Sequence, residues 1–281
     1  MPMKRLQTVI YQTFKHLACL RHRITALGCL VLSASLCGCG GQEQGKVAPA
    51  GGQAAAAANG SPDNRRSLDP RLVPIAQAIE QGRISDARVR LQVYLADEPN
   101  DGQAIFLFGL TFHRDNRYDA ARRHFERAAQ LSPLYHPIHH FLGWCLYYLG
   151  EPEAARSAFE AHLALTPDEG DSHFGIGLID LEEDRLKEAE ARFRAAIELQ
   201  KDNPGRVLAV AKAHSRLGDA LMKQGRHEEA REHLERGTQM DPDQYEALYQ
   251  LYRVLLTLGE EEAAERALQA HHQARQRVRP E

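Results

Sequence analysis

Small, apolar and helix-ending residues recur in this chain with a period of 34 residues. Between Gly102 and Glu169, Gly109 maps onto Gly143, Ala121 onto Ala155, Phe125 onto Phe159 and Pro133 onto Pro167. The same shift carries Gly143 to Gly177, Ala155 to Ala189 and Phe159 to Phe193. One spacing shared by four chemically distinct positions marks a stacked repeat. The pattern predicts paired helices. Glycine or alanine where two helices cross lets their backbones approach closely. The phenylalanines then fill the gap between one helical pair and the next. Proline at the unit's end stops the second helix, because it lacks an N–H and disfavours helix just before it. One unit cannot bury its apolar face alone, so neighbours must stack.

From residue 68 the chain resembles the tetratricopeptide repeat family, a 34-residue unit of two antiparallel helices. Its preferred positions are filled in the second unit (102–135) by Ile105, Phe108, Gly109, Phe112, Ala121, Phe125, Ala128 and Pro133. The third unit (136–169) supplies His139, Leu142, Gly143, Leu146, Ala155, Phe159, His162 and Pro167. The fourth (170–203) places Asp180 where the family prefers a large residue, and the fifth and sixth begin at 211 and 245. The first unit (about 68–101) keeps Ala87, Leu91 and Pro99, but its opening helix is poor. The resemblance implies an all-α, right-handed superhelical solenoid of about six helix-turn-helix units over 68–278. Seven residues, Pro204 to Val210, intervene between units four and five. They amount to about two helical turns. A helix started by Pro204 and running from about Gly205 to Gln224 would absorb them in register.

The amino end changes the picture from a bare solenoid to an exported one. Residues 1–23 are basic, and Ile24 to Leu36 are apolar or small. That stretch is too short to span a bilayer but fits the h-region of a secretory signal peptide. Leu36-Cys37-Gly38-Cys39-Gly40 resembles a bacterial lipobox, which implies a signal peptide over 1–38, cleavage after Gly38 and lipidation of Cys39. Gly40 after the cysteine implies the outer membrane, at its periplasmic face, rather than the inner. An ordinary cleaved signal or an uncleaved anchor are the alternatives. Residues 39–67, rich in Gly, Ala and Gln, have no periodic apolar face and are expected to form a tether. Such a segment spans roughly 25–30 Å.

Residues 1–38 carry five basic and no acidic residues, so the rest of the chain is net acidic at about −8. That balance disfavours phosphate-driven nucleic-acid binding. Four of the five cysteines lie at or before position 39, which leaves Cys145 and no disulfide framework in the repeats. Cys145 is expected to be a small core residue. The acids Glu182, Glu183 and Asp184 are expected to be solvated. His136 and His140 have the spacing of two metal ligands on one helical face, but a third ligand is missing. His139, His173 and His214 share unit position 4, where the bland reading is half-buried packing. No phosphate loop, Gly-x-Ser-x-Gly or dinucleotide fingerprint occurs. The sequence therefore predicts no catalysis, cofactor or metal site.

The better candidate is a surface. The resemblance implies that opening helices line a concave groove. Carried over by position, its lining is Phe106, Leu110 and His113 from unit two, and His140, Trp144, Tyr147 and Tyr148 from unit three. Unit four adds Phe174, Leu178 and Leu181; unit five turns polar with Ser215, Asp219, Met222 and Lys223; unit six adds Tyr249 and Arg253. Trp144, Tyr147 and Tyr148 are expected to be exposed, since such rings commonly mark interfaces. Phe106 and Phe174 could equally pack between units. The reading is a lipid-anchored envelope scaffold binding a protein or peptide with an apolar or aromatic segment. The alternative is an accessory subunit of an envelope enzyme, or a glycan-binding module using the same rings. The basic carboxyl end is expected to be a solvated capping helix.

Overall fold

The computed structural model describes residues 68–279. These residues form twelve α-helices arranged as six consecutive hairpins, with no strand among them. Unit one pairs α1 (Val73–Glu80) with α2 (Ile84–Asp97), and unit two pairs α3 (Gly102–Arg114) with α4 (Tyr118–Leu131). Then come α5 (Pro137–Leu149) with α6 (Pro152–Leu165), and α7 (Gly170–Glu182) with α8 (Leu186–Gln200). The last two units are α9 (Val207–Lys223) with α10 (His227–Met240), and α11 (Tyr245–Thr257) with α12 (Glu261–Val278). The all-α solenoid of six units read from the period is thus present. Opening helices of successive units also touch one another: α3 meets α5, α5 meets α7, α7 meets α9 and α9 meets α11.

Local signals start and stop these helices. The Asp101 side chain accepts hydrogen bonds from the backbone N–H groups of Gln103 and Ala104, capping α3. Pro137 and Pro152 open α5 and α6. Every hairpin turns through a residue with positive φ at unit position 15: Gly82, Asn116, Gly150, Asp184, Gly225 and Gly259. Only glycine takes that backbone without strain, and Asn and Asp tolerate it best among the rest.

Helix crossings follow the expected logic. A Cβ on Gly143 would lie 2.6 Å from the Phe159 ring. Phe125, Phe159 and Phe193 are fully buried. They belong to successive apolar clusters that run from Leu72 through α12.

The opening helix of unit one is indeed short, with eight residues. The fifth opening helix starts at Val207, preceded by a single 3-10 turn over Pro204–Arg206. The Asn203 side chain accepts from the N–H of Gly205, and the Arg206 side chain turns inward to bind Asp171 at 2.7 Å, which shapes that turn. The carboxyl-terminal helix, Glu261–Val278, is the longest among the described residues, with 18. Among the described residues no helix is long and apolar enough to cross a membrane. The signal peptide, Cys39 and the tether lie outside the described residues.

Candidate functional site

The groove positions divide into a covered half and an open half. Phe106 and Leu110 are fully buried. The Phe106 ring sits 5.6 Å from both Tyr135 and Phe141, so it is mortar between units two and three. The exposure expected of Trp144 and Tyr148 is also corrected, because each is only 9% exposed. Trp144 meets Phe159 edge-on at 5.4 Å and Phe174 at 6.4 Å, while Tyr148 stacks on Tyr118 at 4.7 Å. The large rings are covered because each unit's closing and following helices need apolar filling where they lean together. A glycan platform built on Trp144 and Tyr148 loses its support for the same reason.

What remains open lies farther along the stack. Tyr147, Phe174 and Leu178 are half-buried, and the Tyr147 hydroxyl donates to Glu182 at 2.5 Å across the joint between α5 and α7. His113 is half-buried beside Tyr118 and Phe141. Leu181 and Ser215 are buried, and Met222 is half-buried. Arg216 donates to Asp219 at 3.0 Å, and burial pushes the Asp219 carboxyl above its ordinary range. Lys223 is exposed and reaches the Leu181 carbonyl at 3.2 Å. Tyr249 is 43% exposed, with Arg253 exposed one turn on. The open face therefore runs from aromatic at Tyr147 to mixed charge at α9 and α11.

The histidine pair acquires a third ring that spacing alone did not reveal. His162 of α6 lies 5.7 Å from His136 and 5.3 Å from His140, centre to centre. His162 Nδ1 shares a hydrogen bond with Ser172 Oγ at 2.8 Å, and its Nε2 is 3.2 Å from Thr166 Oγ1. With both ring nitrogens engaged in this way, His162 is a packing residue. Burial holds His140 down to about 4 and His162 down to about 3, so both rings are neutral near pH 7. No group of His, Cys, Asp and Glu among the described residues is placed to hold a metal ion. His214 of α9 and His233 of α10 form a second neutral pair, Nδ1 to Nδ1 at 2.9 Å, each lowered to about 4, chiefly by burial. His139 and His173 are half-buried, with His139 Nε2 2.9 Å from the Pro133 carbonyl. Cys145 is buried, and burial pushes its thiol well above the ordinary range.

Glu182, Glu183 and Asp184 are exposed, as expected, but Asp180 on the same helix as Glu182 carries structure. Asp180 is buried, and Arg156 of the preceding unit binds it at 2.8 Å and Arg185 at 2.9 Å. Glu183 joins them through Arg156 at 3.2 Å and through Arg185. Burial raises the Asp180 carboxyl despite Arg156. A surface cleft of about 420 Å³ adjoins this cluster, lined also by His173, Glu188 and Arg192. The missed signal was an acid at unit position 11 together with arginine at position 21 of the unit before.

Comparison with known proteins fixes the family. Models described as Tetratricopeptide repeat match residues 77–136, 112–173, 168–243 and 221–279. No curated protein matches the sequence. Among solved structures, the chain is similar to one from the APC/C hetero-tetramer Cut9-Hcn1 (TM-score 0.64, 20% identity), covering 74% of this chain and 39% of that one. It is similar to pilF of Pseudomonas aeruginosa (TM-score 0.63, 17% identity; 78% and 93% covered). It is also similar to YrrB, described as a TPR protein with an unusual peptide-binding site (TM-score 0.52, 18% identity; 68% and 93% covered). At these identities the likeness concerns the fold.

Proposed function

Because this chain belongs to the tetratricopeptide-repeat family, matched over residues 77–279, we propose that it is a non-catalytic scaffold holding a partner protein against its concave face. The observation that carries the reading is the open stripe of the opening helices. Tyr147, Phe174 and Leu178 are left half-covered there, and Tyr249 and Arg253 are exposed. A segment with an apolar or aromatic side chain fits the first part, and its polar backbone and charges fit the second. The similarity to YrrB, described as having a peptide-binding site, agrees with a partner of protein chemistry.

The proposal places the scaffold at the bacterial envelope. Cys39 carries the lipid, and residues 40–67 set the repeats off the outer membrane at its periplasmic face. Each buried methylene of an acyl chain contributes roughly 0.8 kcal/mol, so several chains on one cysteine hold firmly. The motivation is the sequence Leu36-Cys37-Gly38-Cys39 after a short apolar run.

Photoreactive side chains introduced singly at positions 147, 178 and 253 test the groove in intact cells. All three should link to the same partner chain. The same probe at Val89, 60% exposed on closing helix α2, should not. Equal labelling from all four positions, or none from the three groove positions, overturns the groove assignment. Cys39→Ser should release the protein from the membrane fraction; retention there rejects the anchor without touching the groove.

A further inference from the structure

The two ends of the stack carry the two halves of one of its own junctions. Inside the chain a polar clasp recurs at each joint, from unit position 21 on one closing helix to the neighbourhood of the next unit's turn. Arg88 meets Asp115 at 2.7 Å, Arg122 meets Glu151 at 2.7 Å, Arg156 meets Asp180 and Glu183, and Arg231 meets Glu260 at 2.5 Å. Between units four and five the polarity is reversed. There Glu190 accepts from Arg226 at 2.6 Å and from Gln224 at 3.0 Å, and Glu229 steadies Arg226 at 2.6 Å. The turn of unit one repeats the donor half of that reversed clasp. Gln81, Arg83 and Asp86 stand at the positions of Gln224, Arg226 and Glu229. Asp86 steadies Arg83 at 2.6 Å, and Gln81 contacts it at 3.1 Å. Position 21 of unit six is Glu265, the acceptor half, and it is exposed.

The apolar surface agrees independently. Where another unit follows, positions 5 and 12 of an opening helix are buried, as at Phe106 and Leu181, or half-buried, as at Tyr147 and Phe174. In unit six the same positions are Tyr249 and Leu256, 43% and 46% exposed. Positions 6 and 10 face the preceding unit and are buried at Phe141 and Cys145. In unit one they are Val73, 39% exposed, and Gln77, exposed.

We propose that the chain associates head to tail with a second copy of itself. Glu265 and the Tyr249–Leu256 stripe of one copy seat on Arg83, Gln81 and Val73 of the next. The junction continues the solenoid in the register of the joint between units four and five. Such an interface joins two different surfaces, so it propagates or closes into a ring. The outer face of α12 is otherwise polar, with Arg266, Gln269 and Gln273 exposed. The contact is therefore smaller and wetter than an internal joint, and assembly depends on protein concentration.

Sedimentation velocity of the full chain over a concentration series tests this directly. Wild type should grow in mass with concentration and shrink with added salt. Arg83→Glu alone sets two glutamates face to face, and Glu265→Arg alone sets two arginines face to face. Each should associate about tenfold more weakly than wild type. Mixed in equal amounts, the two variants restore an opposite pair at every junction and should assemble again. A wild type that stays monomeric throughout, single variants that assemble like wild type, or a mixture no heavier than its parts would each overturn the proposal.

Discussion

At the residue scale the turns hold a ready comparison. Four of the six positive-φ positions are glycine, whereas Asn116 and Asp184 take the same φ of 61° with a side chain attached. Asp184→Gly should therefore relieve backbone strain and raise stability by about 0.5–1 kcal/mol. The Lys223–Asp184 contact it removes is exposed and worth little. A chemical denaturation midpoint that falls instead would show that the side chain matters more than the backbone. The buried histidines set a second expectation. Their rings are held neutral, with values lowered to about 4 for His140, His214 and His233 and about 3 for His162. An unfolded chain takes up these protons first, near the ordinary histidine value of about 6.5. Stability from this source is complete above that pH and is lost progressively as pH falls toward 4. Thermal melts by circular dichroism should be level from pH 8 to 7 and drop steadily from pH 6.5 to 4. A melting temperature unchanged across that lower window contradicts the neutral packing of these rings.

At the scale of elements, the joint between units three and four depends on a buried carboxylate as well as on rings. Asp180 has Arg156 and Arg185 as its partners. Arg156→Ala removes the partner contributed by the preceding unit, and breaking a buried pair in this way costs roughly 3 kcal/mol. Arg122→Ala, at the same unit position, breaks a pair with Glu151, whose side chain is 45% exposed, and should cost under about 1 kcal/mol. Equal losses in urea unfolding would mean that Asp180 is not the anchor described. Helices and joints were legible in the sequence because glycine, alanine, phenylalanine and proline each do one job at a fixed place. The polar clasps were not, because Arg156 and Asp180 look like surface residues until the fold sets them 24 residues apart in chain and 2.8 Å apart in space. The same reason hid His162 from the His136–His140 pair.

At the scale of the whole molecule, periodicity foretold the stack and its six units but overestimated the open aromatic surface. Trp144 and Tyr148 occupy groove positions by register, yet Phe174 of the following unit covers the first and Tyr118 of the preceding unit the second, and register alone says nothing about that lean. Tyr147, next to Tyr148 in the chain, stays half-open and bonds across to Glu182. The face left for a partner is narrower than the sequence implied and lies toward the later units.

Trp144 is the chain's sole tryptophan, and it sits in the joint between units three and four, against Phe159 and Phe174. Its fluorescence therefore reads the stacking of the repeats with no competing signal. The stack predicts blue-shifted native emission, weakly quenched by iodide, that shifts red and becomes quenchable only as the helices unfold. Native emission already red and fully quenched by iodide would place the ring in water and contradict the leaning units on which every other statement rests.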